Sequence, residues 1–238
     1  NNWTLENLKQ MDPEELIIIE RLKENKTTQR RQTTVGQIIE YIESENILVA
    51  ASGALFRTDK SSVVCEVLSD WFDKRKEYKK LMSAAFKSGD KVKGEFYNRL
   101  QHAYKIKLND LYGCYAINGW RYTDGHKIIS KAITLTGQRL AQESIRFVNK
   151  WINDLLKSDN HDYVITSDTD SLFIQVKDIL VERGVDLSNK EEVVKATLDI
   201  ANEIQKQANE NLNQLMSPLF NINDGKHFFE LKQEVIIE

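Results

Sequence analysis

Two long helical patterns separated by only three residues constrain the fold of this 238-residue chain more than any other feature. The first pattern runs from about residue 62 to 87 and the second from about 91 to 112, and the break between them reads Ser88-Gly89-Asp90. A three-residue connection forces the second helix to return along the first. The sequence therefore predicts an antiparallel helical hairpin near the middle of the chain.

The segments on either side of this hairpin predict a mixture of helices and short strands. Further helices are expected at 12–24, 35–45, about 130–157 and 188–216, with strands within 47–56, at 163–165, at 172–174 and at 227–237, and a loop at 26–34. Pro218 is expected to stop the last helix. Together these elements predict an α+β chain, which we divide into residues 1–61, 62–113 and 114–238.

The composition excludes several classes of protein. Hydrophobic residues make up 41% of the chain and charged residues 29%, as in ordinary globular proteins, and no apolar run approaches the length of a membrane span. Cys65 and Cys114 lie far apart without a CxxC motif, and the four histidines have no zinc spacing. We expect a reducing, cytoplasmic compartment and no membrane association. The start at Asn1, without a methionine, hints at a fragment or a processed product.

The charges are distributed unevenly along the chain. Residues 74–107 contain 11 basic and 3 acidic side chains, whereas residues 178–238 contain 12 acidic and 6 basic ones, although the net charge of the whole chain is only −3. This asymmetry favours a surface that faces a polyanion, beside an acidic segment. Two solvated helix faces would give the same counts, so the charge pattern alone leaves both interpretations open.

Two carboxylates mark the predicted hairpin at 163–174. Asp168 and Asp170 are two residues apart, so in a strand they point to the same face. Their mutual repulsion is relieved when a cation lies between them, and carboxylate oxygens favour a hard ion such as Mg²⁺. The alternative is a solvent-exposed turn in which both residues only favour the turn conformation.

Polar side chains also share faces on the two long helices. Lys105, Asn109 and Tyr112 follow at i, i+4 and i+7, a combination of cation, amide and aromatic ring that suits a nucleotide. Arg75 and Lys79 lie four residues apart on the preceding helix, and an antiparallel hairpin would bring them beside Lys105 to neutralise a triphosphate. An amphipathic helix with Tyr112 in a core, beside a solvated basic face, is the alternative.

These pieces, taken in order, resemble family B DNA polymerases, closest to the tailed-phage type. Residues 105–113 (KIKLNDLYG) resemble the fingers motif KxxxNSxYG, and residues 167–171 (SDTDS) match the palm motif YGDTDS. Residues 73–79 (DKRKEYK) resemble the first fingers helix, and Arg121-Tyr122 with residues 132–138 (AITLTGQ) resemble the segment that links fingers and palm. The resemblance covers roughly residues 50–238 and implies a partial palm sheet with a helical fingers hairpin at 62–113.

The resemblance also implies roles for individual residues. Asp170 would ligate two Mg²⁺ ions, with Asp168 ligating or supporting them. The cations Arg75, Lys79 and Lys105 would hold the triphosphate of an incoming dNTP. Asn109 and Tyr112 would line the pocket of the nascent base pair, and the reaction would be attack of the primer 3′-hydroxyl on the α-phosphate.

The sequence departs from the family pattern in several places. Thr166-Ser167 replaces the usual Tyr-Gly, and Asp110 stands where the fingers motif has Ser. The motif DxxSLYPS, known as motif A, which supplies the other metal-binding Asp, is absent, as are the exonuclease domain, the KKRY motif and the thumb. Residues 229–234 (FELKQE) resemble the late palm strand, and Glu234 is an outlying acidic candidate, although a Glu in a strand is usually just exposed.

The resemblance thus predicts template-directed DNA synthesis by part of a split or truncated polymerase. Its partners would be primer–template DNA, dNTP and a second polymerase chain or segment that carries motif A, in the cytoplasm of the host if a phage encodes the chain. A non-catalytic, polymerase-derived fragment that binds DNA or a partner chain is the first alternative. An unrelated helical binding protein with a chance acidic turn is the second.

Overall fold

The computed structural model describes residues 3–22, 27–117, 127–168, 171–223, 225 and 227–236. The described helices are α1 (Leu5–Lys9), α2 (Val35–Ser44), α3 (Val63–Lys87), α4 (Lys91–Cys114), α5 (Ile128–Leu156), α6 (Lys177–Glu182) and α7 (Lys190–Phe220). The described strands are β1 (Leu16–Leu22), β2 (Thr28–Thr34), β3 (Leu48–Val49), β4 (Leu55–Phe56), β5 (Val164–Asp168) and β6 (Ser171–Ile174). They pair as β1 with β2, β3 with β4 and β5 with β6. This mixture of helices and small sheets confirms the α+β prediction.

The chain divides into two compact units. The first contains residues 1–21, 30–56 and 132–238, and the second contains residues 22–29 and 57–131. Within the described ranges, no helix is long and apolar enough to cross a membrane.

Helix α7 organises the core of the first unit. Its buried side chains recur every three or four residues and so form one continuous face: Ile200, Ile204, Ala208, Leu212, Met216, Leu219 and Phe220. The first half of this face packs with Val148 and Ile152 of α5, and the second half packs with Leu140. A separate cluster joins α1, α2 and β3 through buried leucine, isoleucine and valine side chains.

Helix α7 continues through the proline that was expected to stop it. Pro218 lies inside the helix, which ends only at the left-handed residue Asn221, with φ of 59°. Leu219 and Phe220 are almost completely buried, and burial of such a side chain is worth about 1.5–3 kcal/mol. That gain offsets the hydrogen bond that a proline removes from a helix. The helix begins at Lys190 with Asn189 as N-cap, two residues after its predicted start.

The predictions for residues 12–34 were wrong. The expected helix at 12–24 is instead strand β1, and the expected loop at 26–34 contains strand β2. Ile17 and Ile19 pack on the core, whereas Leu16 and Ile18 are 61% and 66% exposed, which is the alternation of a strand. β-Branched residues such as Ile17 and Ile19 favour this conformation.

The helix and hairpin that follow were predicted correctly. Helix α2 starts at a capping box in which Thr34 accepts from Gln37 N and the Gln37 side chain accepts from Thr34 N. Strands β3 and β4 pair antiparallel around a turn in which Gly53 has φ of 83°, a conformation that favours glycine.

The expected strand at 227–237 is not formed in its described part, residues 227–236. Amide side chains of α7 hold this tail instead. Asn209 Nδ2 donates to Leu231 O at 2.9 Å, and Leu231 N donates to Asn209 Oδ1 at 2.8 Å. One turn away, Gln233 N donates to Gln205 Oε1 at 2.7 Å. Backbone groups of the tail are thus hydrogen-bonded to side chains on the surface of α7 instead of to a neighbouring strand. The alternating sequence of the tail does not indicate this arrangement.

The second unit contains the predicted helical hairpin. Asp90 accepts from Lys93 N and caps α4, and the turn before it has Gly89 at φ of 79°. The Phe86 ring packs so tightly over Gly94 that an added Cβ would lie 2.5 Å from it. Further from the turn, the Tyr78 ring stacks on that of Tyr104 at 5.7 Å. These pairings run in opposite directions along α3 and α4, so the helices are antiparallel.

Candidate functional site

The acidic hairpin is formed by β5 and β6. Its strands pair antiparallel, with Ser167 opposite Leu172 and Asp168 opposite Ser171. Asp170 and the side chain of Asp168 lie outside the described part of the structure. The hairpin predicted from the sequence is therefore confirmed, and the metal-binding role of its two carboxylates stays a prediction.

Two asparagines of α5 anchor the start of this hairpin. Asn149 Oδ1 accepts from Tyr163 N at 2.9 Å and from Val164 N at 3.0 Å. Asn153 exchanges two hydrogen bonds with the backbone of His161, at 2.7 and 2.8 Å. Tyr163 and Val164 are buried in the core with residues of α5 and α7. The strand that carries Asp168 is thus held at its beginning by both packing and hydrogen bonds.

The predicted ligands of the hairpin, Asp168 and Asp170, are carboxylates, and carboxylate oxygens are ligands that Mg²⁺ prefers. In the described residues, no group of three His, Cys, Asp or Glu side chains is arranged to hold a metal ion. DxxSLYPS, the motif that would supply another carboxylate, is not among the 238 residues.

The predicted triphosphate-binding cations lie on the α3–α4 hairpin. Lys79 and Lys105 are exposed, and Arg75 is half-buried. Lys79 directly follows Tyr78 and Lys105 directly follows Tyr104, so the stacking of these two rings brings both lysines to the same level of the hairpin. Arg75 precedes Tyr78 by less than one turn. The structure thus places all three cations in one section of the hairpin.

None of these three cations forms a salt bridge in the described part of the chain. Arg75 Nε is buried and has no hydrogen-bond partner there. Lys74, in contrast, is paired with Asp70 at 2.9 Å, and this hydrogen bond and charge raise the pKa of Lys74. A cluster with unneutralised charge and an unsatisfied donor is suited to an anion with several oxygens.

The remaining predicted residues lie further along α4. Asn109 and Tyr112 share one face of this helix with Lys105, by the spacing of four and seven residues. Asn109 is exposed and Tyr112 is 42% exposed, so neither is a core residue. Asp110 is exposed on a neighbouring face. The alternative in which Tyr112 belongs to a core is therefore wrong, and its place in a base-pair pocket stays a prediction.

Sequence reasoning missed the groups that orient these residues. An aromatic ladder joins the helices, because Tyr78 also stacks on Tyr97 and the Lys107 ammonium lies 5.6 Å from the centre of the Trp71 ring. The spacing of aromatic residues along both helical patterns could have indicated it. The roles of Asn149 and Asn153 had no such signal, since an asparagine on a helix is usually solvated.

The family model described as DNA polymerase family B matches residues 10–216, which is most of the chain. The chain therefore belongs to DNA polymerase family B.

Individual relatives are similar over shorter segments. The DNA polymerase of Trichoplusia ni ascovirus 2c is 33% identical over 104 residues, covering 44% of this chain and 9% of that protein. The DNA-directed DNA polymerase of Enterobacteria phage T4 is 32% identical over 82 residues, covering 34% and 9%. The DNA polymerase of Paramecium bursaria Chlorella virus NY2A is 31% identical over 115 residues, covering 48% and 12%. The matched part of the chain thus spans about a tenth of the length of each of these relatives.

Proposed function

We propose that this chain takes part in template-directed DNA synthesis, as one part of a family B DNA polymerase. The reaction is transfer of a nucleotidyl group from dNTP to the 3′-hydroxyl of a primer. The observation that carries the proposal is the set of three cations without salt bridges in one section of the α3–α4 hairpin. Family membership over residues 10–216 supports the same reaction.

In this proposal, residues 62–113 form the fingers, residues 114–238 belong to the palm, and residues 1–61 are a palm or insert region before the fingers. Arg75, Lys79 and Lys105 hold the triphosphate, since guanidinium and ammonium groups donate charged hydrogen bonds to phosphate oxygens. Their positive charge also stabilises the negative charge that passes to the departing pyrophosphate.

Two further residues on the same helix select the nucleotide. Asn109 and Tyr112 line the pocket of the nascent base pair, one by hydrogen bonding and the other by ring contact. The exposed face that they share with Lys105 supports this role. Asp110 adds a negative charge close by, where the family motif has a serine.

Asp168 and Asp170 would hold two Mg²⁺ ions together with the aspartate of DxxSLYPS. When bound, the ions would supply activation of the primer hydroxyl and neutralisation of charge at the α-phosphate. Asn149 keeps the strand that carries Asp168 in place through its two backbone hydrogen bonds.

The partners of the chain are accordingly primer–template DNA, a dNTP and a polymerase segment that carries DxxSLYPS, on the same polypeptide or on a second chain. The cytoplasm remains the proposed compartment. A non-catalytic role, in which the chain binds DNA or a partner polymerase chain, is the competing proposal, because the chain itself lacks one metal-binding motif.

Nucleotide binding tests the assignment of the cations. Replacement of Arg75, Lys79 and Lys105 by Ala together should abolish most binding of dNTP, measured by fluorescence titration, and binding to the original chain should weaken as salt rises. A variant with Lys131, Lys150 and Lys195 replaced by Ala is the matched control, because it removes three exposed cations from other helices. Unchanged nucleotide binding in a folded variant that lacks Arg75, Lys79 and Lys105 would refute the triphosphate assignment.

A further inference from the structure

The face of α4 that presents Lys105 and Asn109 continues towards the turn between α3 and α4. Gln101 lies four residues before Lys105, so the two side chains are neighbours on the same face of the helix. The Gln101 side chain is half-buried, whereas Lys105 is exposed. Gln101 precedes the motif that drew attention to this helix, which begins at Lys105. The same face therefore carries a further amide, one turn closer to the turn of the hairpin.

The contacts between the two helices place Gln101 opposite Lys79. The Tyr78 ring stacks on Tyr97 at 6.3 Å and on Tyr104 at 5.7 Å. Gln101 lies between these two partners of Tyr78 along α4, four residues after the first and three before the second. It is therefore level with Tyr78 and with the next residue of α3, Lys79.

The same geometry shows which side of the hairpin these groups occupy. Lys79 and Lys105 each directly follow one of the two stacked tyrosines, so each is rotated about 100° beyond its tyrosine around the helix axis. Because the helices are antiparallel, the two rotations run in opposite senses when seen from one end, and both lysines turn to one side of the hairpin. Arg75 and Gln101 each precede their tyrosine by three residues, which amounts to about 60° towards that same side. The amide thus shares one side of the hairpin with the three cations.

A hydrogen bond orients the Gln101 amide. Gln101 Nε2 donates to Asn98 Oδ1 at 3.0 Å, one turn closer to the turn of the hairpin. An amide nitrogen carries two hydrogens, so this bond leaves a second N–H for another acceptor. Lys79 and Lys105 border the amide and form no salt bridge in the described part of the chain. A donor beside two such cations favours an acceptor that is itself negatively charged.

We propose that Gln101 is a fourth residue of the triphosphate site and that Asn98 is the positioning residue for its amide. The second N–H of Gln101 donates to a non-bridging oxygen of the phosphate chain. An ammonium group attracts negative charge from any direction, whereas an oriented amide selects an oxygen at one position. Gln101 has this role only if the three cations hold the triphosphate, so the inference rests on the proposed function.

Titration calorimetry with inorganic tripolyphosphate and with dATP tests this role. Gln101→Met keeps the length and helix propensity of the side chain but removes the amide. Both ligands should then bind about tenfold more weakly, as expected for loss of one hydrogen bond to a charged group. Asn98→Ala leaves the amide in place without its acceptor and should weaken binding by about threefold.

Combining the two substitutions separates positioning from a general loss of structure. In a Gln101→Met background, Asn98→Ala should cause no further loss of affinity, because the amide that it positions is absent. Gln207→Met is the matched control, since Gln207 is a half-buried glutamine on α7. This control should bind both ligands like the original chain, and circular dichroism should show the same helicity in all variants.

The outcomes distinguish failure of this inference from failure of the proposed function. If binding requires the three cations but is unchanged in Gln101→Met, or falls equally in Gln207→Met, the role of Gln101 is wrong and the triphosphate assignment stands. Loss of affinity for dATP but not for tripolyphosphate would also overturn it, because Gln101 would then contact the base or the sugar. If the original chain binds neither ligand, the triphosphate assignment and this inference fail together.

Discussion

Asn221 connects three parts of the first unit through one amide side chain. It is 6% exposed, and its Nδ2 donates to Ile42 O and Ile47 O, each at 3.0 Å. Its left-handed backbone also ends α7. The end of this helix is thereby tied to the end of α2 and to the residue before β3. A single residue both terminates an element and fixes its position relative to two others.

Substitution of Asn221 can separate these two roles. Asn221→Ala should lower the free energy of unfolding by about 2–4 kcal/mol, because it removes both hydrogen bonds and forces alanine into a left-handed conformation. Glycine adopts the left-handed conformation without strain. The loss of unfolding free energy in Asn221→Gly should therefore be about 1 kcal/mol smaller than in Asn221→Ala. Urea denaturation measures both values. Equal destabilisation by Ala and Gly would show that backbone conformation contributes nothing at this position.

Among the elements, α4 depends on an ionised cap at its first turn. Asp90 accepts from Lys93 N at 3.0 Å, and this hydrogen bond, reinforced by the Lys93 side chain, lowers the pKa of Asp90 below 3.8. A carboxyl whose folded-state pKa is lowered stabilises the fold above its unfolded value, and the contribution is lost as pH falls through the folded value.

Thermal unfolding at different pH values tests the cap. Asp90→Ala should have a lower Tm than the original chain at pH 7, and this difference should shrink as pH falls below 3.8, the unperturbed pKa of the carboxyl. Asp90→Asn keeps a capping oxygen without a titratable charge. The Tm of Asp90→Asn should therefore lie between those of Asp90→Ala and the original chain at pH 7. At low pH it should be close to the Tm of the original chain. A difference between Asp90→Ala and the original chain that stays constant with pH would contradict a role for the ionised carboxylate.

The tail provides an element whose position depends on side chains of α7. Asn209→Ala removes both hydrogen bonds to Leu231 and should speed hydrogen exchange of the Leu231 amide by at least about tenfold, equivalent to 1.4 kcal/mol. Asn209→Asp keeps the acceptor for Leu231 N and should have the smaller effect. Asn213→Ala, which removes only a contact with the His227 ring, is the control. Exchange at Leu231 that is unaffected by Asn209→Ala would mean that packing alone holds the tail.

The comparison of these elements explains which parts of the fold the sequence could predict. Helices α3, α4 and α5 have long periodic patterns, and the β5–β6 hairpin has two short apolar runs around a turn, so local signals were sufficient. The errors at β1, at the end of α7 and in the tail have a common cause. Each depends on what the segment packs against, such as the core beneath Ile17 or the amide of Asn209, and those partners are distant in the sequence.

In the candidate site, the sequence could predict only those placements that depend on the spacing of residues within one helix or hairpin. Spacing alone placed Lys105, Asn109 and Tyr112 on one helix and Arg75 with Lys79 on its antiparallel neighbour. It could not identify Asn149 as an anchor of the acidic hairpin, because that contact joins α5 to a strand start 14 residues away.

At the scale of the whole molecule, the charge asymmetry corresponds to the division into two units. The basic segment at 74–107 lies in the second unit, and the acidic segment at 178–238 lies in the first. The proposed function assigns the nucleotide cations to the second unit and the metal-binding carboxylates to the first. Synthesis would therefore require both units and the DxxSLYPS segment, because metal-assisted phosphoryl transfer depends on a fully ligated and correctly positioned ion pair.

Primer extension with Mg²⁺ and four deoxynucleotides tests this account most directly. We expect little or no extension by the 238-residue chain alone, robust extension when a polypeptide segment that carries DxxSLYPS is supplied, and loss of that activity in Asp170→Asn. Robust extension by the chain alone would show that the missing motif is not needed. Extension by neither the chain nor the mixture, with both polypeptides folded and associated, would contradict the assignment of DNA synthesis and favour a non-catalytic, DNA-binding role.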